Sequence, residues 1–127
     1  MADSIFIGGV RSKGSDITVA RVRWAPSSAA TQTLTEASGV TSVTRSGAGA
    51  YTITLTDSKV KDLQCLIQVI ENDTTHYHVA RVESISLTAG TITVSHKSVA
   101  FASVASGPSG SDTVDQLQAV ITYRMVD

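Results

Sequence analysis

The sequence predicts an all-β protein. The expected form is a single antiparallel β-sandwich or jelly-roll-like domain of about seven or eight strands, with a flexible N-terminal arm. Three observations carry this. Residues 42–57, SVTRSGAGAYTITLTD, set two β-branched runs around a glycine-studded turn. In the second run Tyr51, Ile53 and Leu55 alternate with Thr52, Thr54 and Thr56. A strand has a side-chain period of two, so this run has one oily face and one hydroxyl face, as a sheet has when it covers a core on one side and meets water or a polar partner on the other. Similar runs recur along the chain at fairly regular spacing, with short turns between them. Finally, Thr, Val and Ser are abundant and aromatic residues make up only 5%. That composition suits half-covered pleated sheets and modest cores, and long Leu/Glu/Lys helical stretches are absent.

Residues 1–16 read as an arm or a first edge strand, and residues 17–127 as the β-sandwich domain. In the arm Ile5, Phe6, Ile7 and Val10 are apolar, while Gly8, Gly9 and Gly14 loosen the backbone. The apolar tripeptide suits either a strand added to a neighbour's sheet or an ordinary first strand in its own sheet. Residues 17–24, ITVARVRW, form a strand whose apolar face switches midway, from Ile17 and Val19 to Val22 and Trp24. That switch implies a bulge or a corner. Pro26 ends it, and residues 27–38 form a loop or irregular edge.

Residues 40–46 and 50–57 pair as a hairpin through Ser46-Gly47-Ala48-Gly49, where glycine supplies positive φ angles. A phosphate loop would need a Lys-Ser or Lys-Thr pair and a following helix, and here a strand follows. Residues 57–63 read as a single helical turn capped by Asp57 or Ser58. Residues 64–71, QCLIQVIE, read as a central strand. A turn over residues 72–75 leads into strand 76–87. Ala89-Gly90 opens strand 91–104, and residues 106–112 form a Gly/Ser/Pro loop. The last strand, 116–126, puts Leu117, Ala119, Ile121, Tyr123 and Met125 on one face.

The 127 residues suit one domain with its own core. The single cysteine, Cys65, allows no disulfide within the chain and reads as a small buried hydrophobe, consistent with folding in a reducing compartment. The net charge is −1, and Arg21, Arg23 and Arg45 are the nearest approach to a basic group. Nucleic-acid binding needs a concentrated basic face, so no nucleic-acid partner is expected. The N-terminus does not match a signal peptide, and no run approaches the roughly 20 apolar residues needed to cross a bilayer. A soluble protein made in a cytoplasm is expected, with no membrane partner.

Chemical signatures are sparse, and neither an enzyme nor a cofactor is expected. His76-x-His78 would place two imidazoles on one strand face, with Glu71 and Asp73 just before them. These histidines are weak metal candidates, because a zinc site needs further ligands and nothing in the sequence places His96 nearby. The acids sit mostly at turns rather than in the facing pair a glycosidase needs. No Gly-x-Ser-x-Gly elbow occurs. Arg81 and Glu83 share a face, either as solvated charges or as a pair across a sheet or subunit boundary.

Residues 39–57, GVTSVTRSGAGAYTITLTD, resemble a segment common in small virion proteins and fibre-tip domains of tailed bacteriophages. In those proteins Ser-Val-Thr-Arg leads through a Gly-x-Gly turn into Tyr-Thr-(Val or Ile)-Thr. The resemblance covers about twenty residues closely and the rest loosely. It implies a jelly-roll-like domain in an oligomeric virion component, and it supplies no catalytic residues. A domain filling nearly the whole chain looks most like a capsid decoration, or cement, protein. Such a protein would be made in the host cytoplasm and would bind the major capsid protein on the outer shell as a trimer or dimer. A tail, neck or head-fibre component is the alternative within virions, and a carbohydrate-binding or adhesive β module is the alternative outside them. The expected partner contacts are Ile5, Phe6, Ile7 and Val10 in the arm and Pro108 in the second flexible loop.

Overall fold

A computed structural model of the chain describes residues 16–126. Nine strands follow one another: β1 Ile17–Trp24, β2 Leu34–Ser38, β3 Val40–Gly47, β4 Ala50–Leu55, β5 Val60–Ile70, β6 His76–Ser86, β7 Thr91–Ala100, β8 Ser109–Gly110 and β9 Gln116–Met125. A kinked 3-10 segment, Phe101–Ser106, lies between β7 and β8. Two antiparallel sheets result, as the alternation predicted. One has the order β2-β1-β9-β5. The other has the order β3-β4-β7-β6, with β8 pairing with the end of β7.

The core lies between the sheets and is built from alternate residues. Ala20, Val22 and Trp24 of β1 and Leu117, Ala119, Ile121 and Tyr123 of β9 are buried from one side. Val43 of β3, Tyr51, Ile53 and Leu55 of β4, and Ile92 and Val94 of β7 are buried from the other. The hairpin register, Val43 opposite Ile53 and Thr44 opposite Thr52, sends the apolar set inward and the hydroxyl set outward. Its turn is Ala48-Gly49, and only Gly49 of the pair needs positive φ, at 70°. The edge of β3 is closed by the preceding segment, through Gln32 N–H to Val43 O and Arg45 N–H to Ala30 O. Gln32 is itself buried and holds that segment by bonds to Ser27 and Ala29.

Several expectations are corrected. The apolar face of β1 does not switch. Ile17 is 71% exposed, Val19 faces outward with it, and β1 pairs with β9 in unbroken register from Ile17 to Trp24. The first two apolar residues are therefore surface residues, which alternation alone does not distinguish from core. Residues 27–38 contain a true edge strand, β2. Residues 57–63 form no helical turn, because Val60 begins β5 and is buried, which extends the strand upstream. β5 is an edge strand rather than a central one. Leu63, Cys65, Ile67 and Val69 pack on the core, Leu66 is 76% exposed on the outer face, and β9 takes the central place. Strand 91–104 stops at Ala100, where the 3-10 segment begins, and the flexible loop contains the two-residue β8. The readings placed on residues 1–15, including Ile5, Phe6, Ile7 and Val10, lie outside the described residues.

Candidate functional site

The β6–β7 register places His78 opposite Ser98 and Ala80 opposite His96. His78 and His96 are therefore diagonal neighbours on the inward face. His96, which the sequence left unplaced, is fully buried, and its Nε2 lies 2.9 Å from His78 Nδ1. The missing signal was register, since eighteen residues separate the two in the chain. On the far side, His96 Nδ1 donates to Ser111 O at 2.6 Å. His78 Nε2 lies 3.2 Å from Asp73 Oδ2.

The acceptors at the two ends of this row fix which ring nitrogens donate there. Ser111 O and ionised Asp73 can only accept, so His96 Nδ1 and His78 Nε2 both donate. Between the rings one nitrogen donates and the other accepts. Burial is the main influence holding His96 below the ordinary histidine value, and the neighbouring His78 acts in the same direction. Burial thus favours the neutral form of the His96 ring.

Asp73 anchors the outer end. The Thr75 hydroxyl and amide each reach its Oδ1 at 2.7 Å and, with His78 and His76 beside it, hold the carboxyl far below the usual range. His76 Nδ1 lies 2.8 Å from Asp73 Oδ2. His76 and His78 thus share Asp73, but His78 commits both ring nitrogens to His96 and Asp73. Among the described residues no group of three or more His, Cys, Asp or Glu side chains is placed to hold a metal ion. The order Asp–His–His has the form of a proton relay, and it ends on a main-chain carbonyl rather than on a hydroxyl or thiol. What it can do chemically is hold a proton and, through it, the Ser111 main chain.

A second hub lies beside it. Asp112 Oδ1 accepts the Tyr51 hydroxyl at 2.5 Å and the Gly49 amide at 3.0 Å. Its Oδ2 pairs with Arg45 at 2.7 Å. Burial works against the Asp112 charge, but Arg45, the Gly49 amide and the Tyr51 hydroxyl outweigh it and lower the pKa. Glu71 works similarly at the end of β5. Its oxygens accept the amides of Asn72, Asp73 and Asp115 and overcome its burial. Both acids that the sequence placed at turns therefore act as turn anchors. Arg81 and Glu83 pair with each other at 2.8 Å on the surface of β6, and Ser95 joins Glu83.

Two surface features mark the five-stranded sheet. Its outer face carries two hydroxyl rows in register across four strands, Ser42-Thr54-Thr91-Ser86 and Thr44-Thr52-Thr93-Ser84. At the end of the sheet near the 3-10 segment the character changes. Tyr77 and Phe101 touch, with ring centroids 4.4 Å apart, and are 58% and 45% exposed. The other described aromatics, Trp24, Tyr51 and Tyr123, are all in the core. Val79 and Val104 are also exposed, as is Pro108. A shallow depression of about 410 Å³, lined by His76, Ala100 and the serines 98, 103, 109 and 111, opens at this same end.

No protein-family model matches the chain, and no curated protein or solved structure matches it.

Proposed function

We propose that this chain is a virion structural protein of a tailed bacteriophage, acting as a capsid decoration (cement) protein on the outer shell. The observation that carries the reading is the Tyr77–Phe101 pair, the two described aromatic rings outside the core, in contact with each other at the surface. Exposed aromatic clusters on a small domain mark docking surfaces, and aromatic anchors supply most of the binding energy where they are buried. The resemblance of residues 39–57 to virion proteins supplies the kind of partner, the major capsid protein.

The mechanism is non-enzymatic. Many copies dock where capsid subunits meet, with Tyr77, Phe101, Val79 and Pro108 toward the shell. Binding the assembled lattice and not its loose subunits stabilises the shell by mass action, and a homo-oligomer multiplies the effect through repeated valency. The arm residues Ile5, Phe6, Ile7 and Val10 provide a second contact.

Shells stripped of the protein provide the test. Phe101→Ser should lower its affinity for them about tenfold or more, the loss of one anchor of at least about 1.4 kcal/mol. The free variant should keep its fold, because Phe101 lies outside the core. Unchanged occupancy would reject this docking end. Deleting residues 2–10 should also weaken binding, and unchanged occupancy would reject the arm contact.

A further inference from the structure

We propose that the β5–β6 flank of the sandwich is a homotypic interface, where a second copy of this chain adds its β6 antiparallel to β6 about a two-fold axis at Val79. The interface is read from the free chain, and only its consequence for shell binding rests on the docking reading above.

The core is left open on this side. β5 and β6 are edge strands of the two sheets, joined to each other by the turn at residues 71–75. Of their residues only Val60 is buried. Leu63, Cys65, Ile67 and Val69 of β5 and Ala80 and Val82 of β6 pack on the core yet stay partly open to solvent. Ile85, paired with the buried Ile92, is itself 41% exposed. The opposite flank is closed. There the main chain of residues 30–32 bonds the edge of β3, and Val40 and Val43 are buried.

The free edge of β6 is also unprotected. From His76 to Val82 the strand runs in unbroken register with β7, and the first irregularity falls between Val82 and Ser84. The stretch holds neither Lys nor Pro, which discourage strand addition, and Arg81 is neutralised by Glu83. Among the described residues its main chain is bonded only to β7. A row of unpaired N–H and C=O groups is a template for another strand.

Symmetry and side chains select the occupant and the register. The regular stretch is centred on Val79, so two identical stretches overlap fully only with the axis there. Val79 then meets Val79 of the second copy, and Tyr77 meets Arg81 of the second copy, all on the outer face. The first contact is apolar, and the second sets a guanidinium beside an aromatic ring. An axis at Arg81 would instead oppose two arginines. The net charge of −1 per copy adds little general repulsion. The joined copies share one continuous sheet, and the open apolar side is covered. Both Tyr77–Phe101 pairs come to the same face of that sheet, which makes the docking surface bivalent.

Sedimentation of the free full-length chain at micromolar concentration tests this, and the wild type should run as a dimer. Val79→Asp and Val79→Lys each set two like charges side by side at the axis. Each should weaken the dimer about tenfold or more and keep the fold, because Val79 is exposed in the single copy. Far-ultraviolet dichroism and the urea midpoint check the fold. Mixed in equal amounts, the two variants should dimerise again with each other, which general damage to β6 would not allow. Val79→Cys should oxidise to a dimer linked through residue 79, and absence of that link would contradict the axis. Deleting residues 2–10 should leave the dimer unchanged, and its loss there would assign the edge to a neighbour's arm and overturn the β6 pairing. A monomeric wild type, variants that dimerise as the wild type does, or a mixture that stays monomeric would overturn the interface. No shell enters these measurements, so failure of the docking reading leaves the dimer intact and failure of the dimer leaves docking intact.

Discussion

Trp24 and Tyr51 meet edge to face across the core, with ring centroids 5.6 Å apart at 71°. One comes from each sheet, so the contact joins the two layers. The Tyr51 hydroxyl continues to Asp112, which links the same contact to the loop before β9. Tyr51→Phe should preserve the ring contact and lose only a hydrogen bond to a charged acceptor. The expected cost is about 1.5–3 kcal/mol by urea denaturation. No loss of stability would mean that Asp112 is held adequately by Arg45 and Gly49 alone.

The alternation in β4 gives a sharper contrast. Leu55 is buried, and Leu55→Ala should cost about 2–5 kcal/mol. Thr54 lies in a surface hydroxyl row, and Thr54→Ala should cost far less, within about 0.5 kcal/mol. Equal small effects would contradict the packing of the sandwich.

That contrast also shows what was legible in the sequence. Wherever one face of a strand is oily and the other polar, as in β4 and β9, the fold could be read directly, because burial on one face imposes period two. β1 and β5 were misread for the same physical reason. Ile17, Val19 and Leu66 are apolar but exposed, and nothing local marks a surface valine or leucine. The candidate site was mostly illegible. His76 and His78 declared themselves by spacing, but His96, Ser111 and Asp112 reach them only through strand register and loop path. The Tyr77–Phe101 contact likewise depends on the end of β7, which the sequence reading ran through as strand.

Gly49 is a point where backbone conformation and close approach coincide. It has φ +70°, and a Cβ there would lie 2.1 Å from His96 O and 2.5 Å from Ser111 N. Gly49→Ala combines an unfavourable left-handed alanine with a clash against main chain. It should cost more than the roughly 1 kcal/mol of a left-handed conformation alone. It should also perturb the Ser111 and His96 signals in an amide spectrum. A neutral Gly49→Ala would contradict the hairpin-to-loop junction.

Stability should have a plateau bounded on both sides. Thr75 and the histidines lower Asp73, and Arg45, Gly49 and Tyr51 lower Asp112 against its burial. Each carboxylate contributes above its unfolded value near 4, and that contribution is lost as pH falls through the lowered one. Neutral, buried His96 adds a loss that begins below about 6.5. On the alkaline side burial, then the bond to Asp57, pushes Tyr123 up to about 12, and burial with Asp112 raises Tyr51 as well. Their contribution is present below about 10 and is lost above it. Urea midpoints should fall from pH 7 toward pH 3 and again above pH 10. A midpoint that rises on acidification would contradict these assignments.

Copy number on purified particles is the most direct measurement. Quantitative mass spectrometry of intact virions, referenced to the major capsid protein, reads it without any variant. Hundreds of copies per particle, released without emptying the shell of its own subunits, is the result expected of a lattice-bound decoration protein. A handful of copies would place the chain in a tail, neck or fibre head, and its absence from particles would contradict the account.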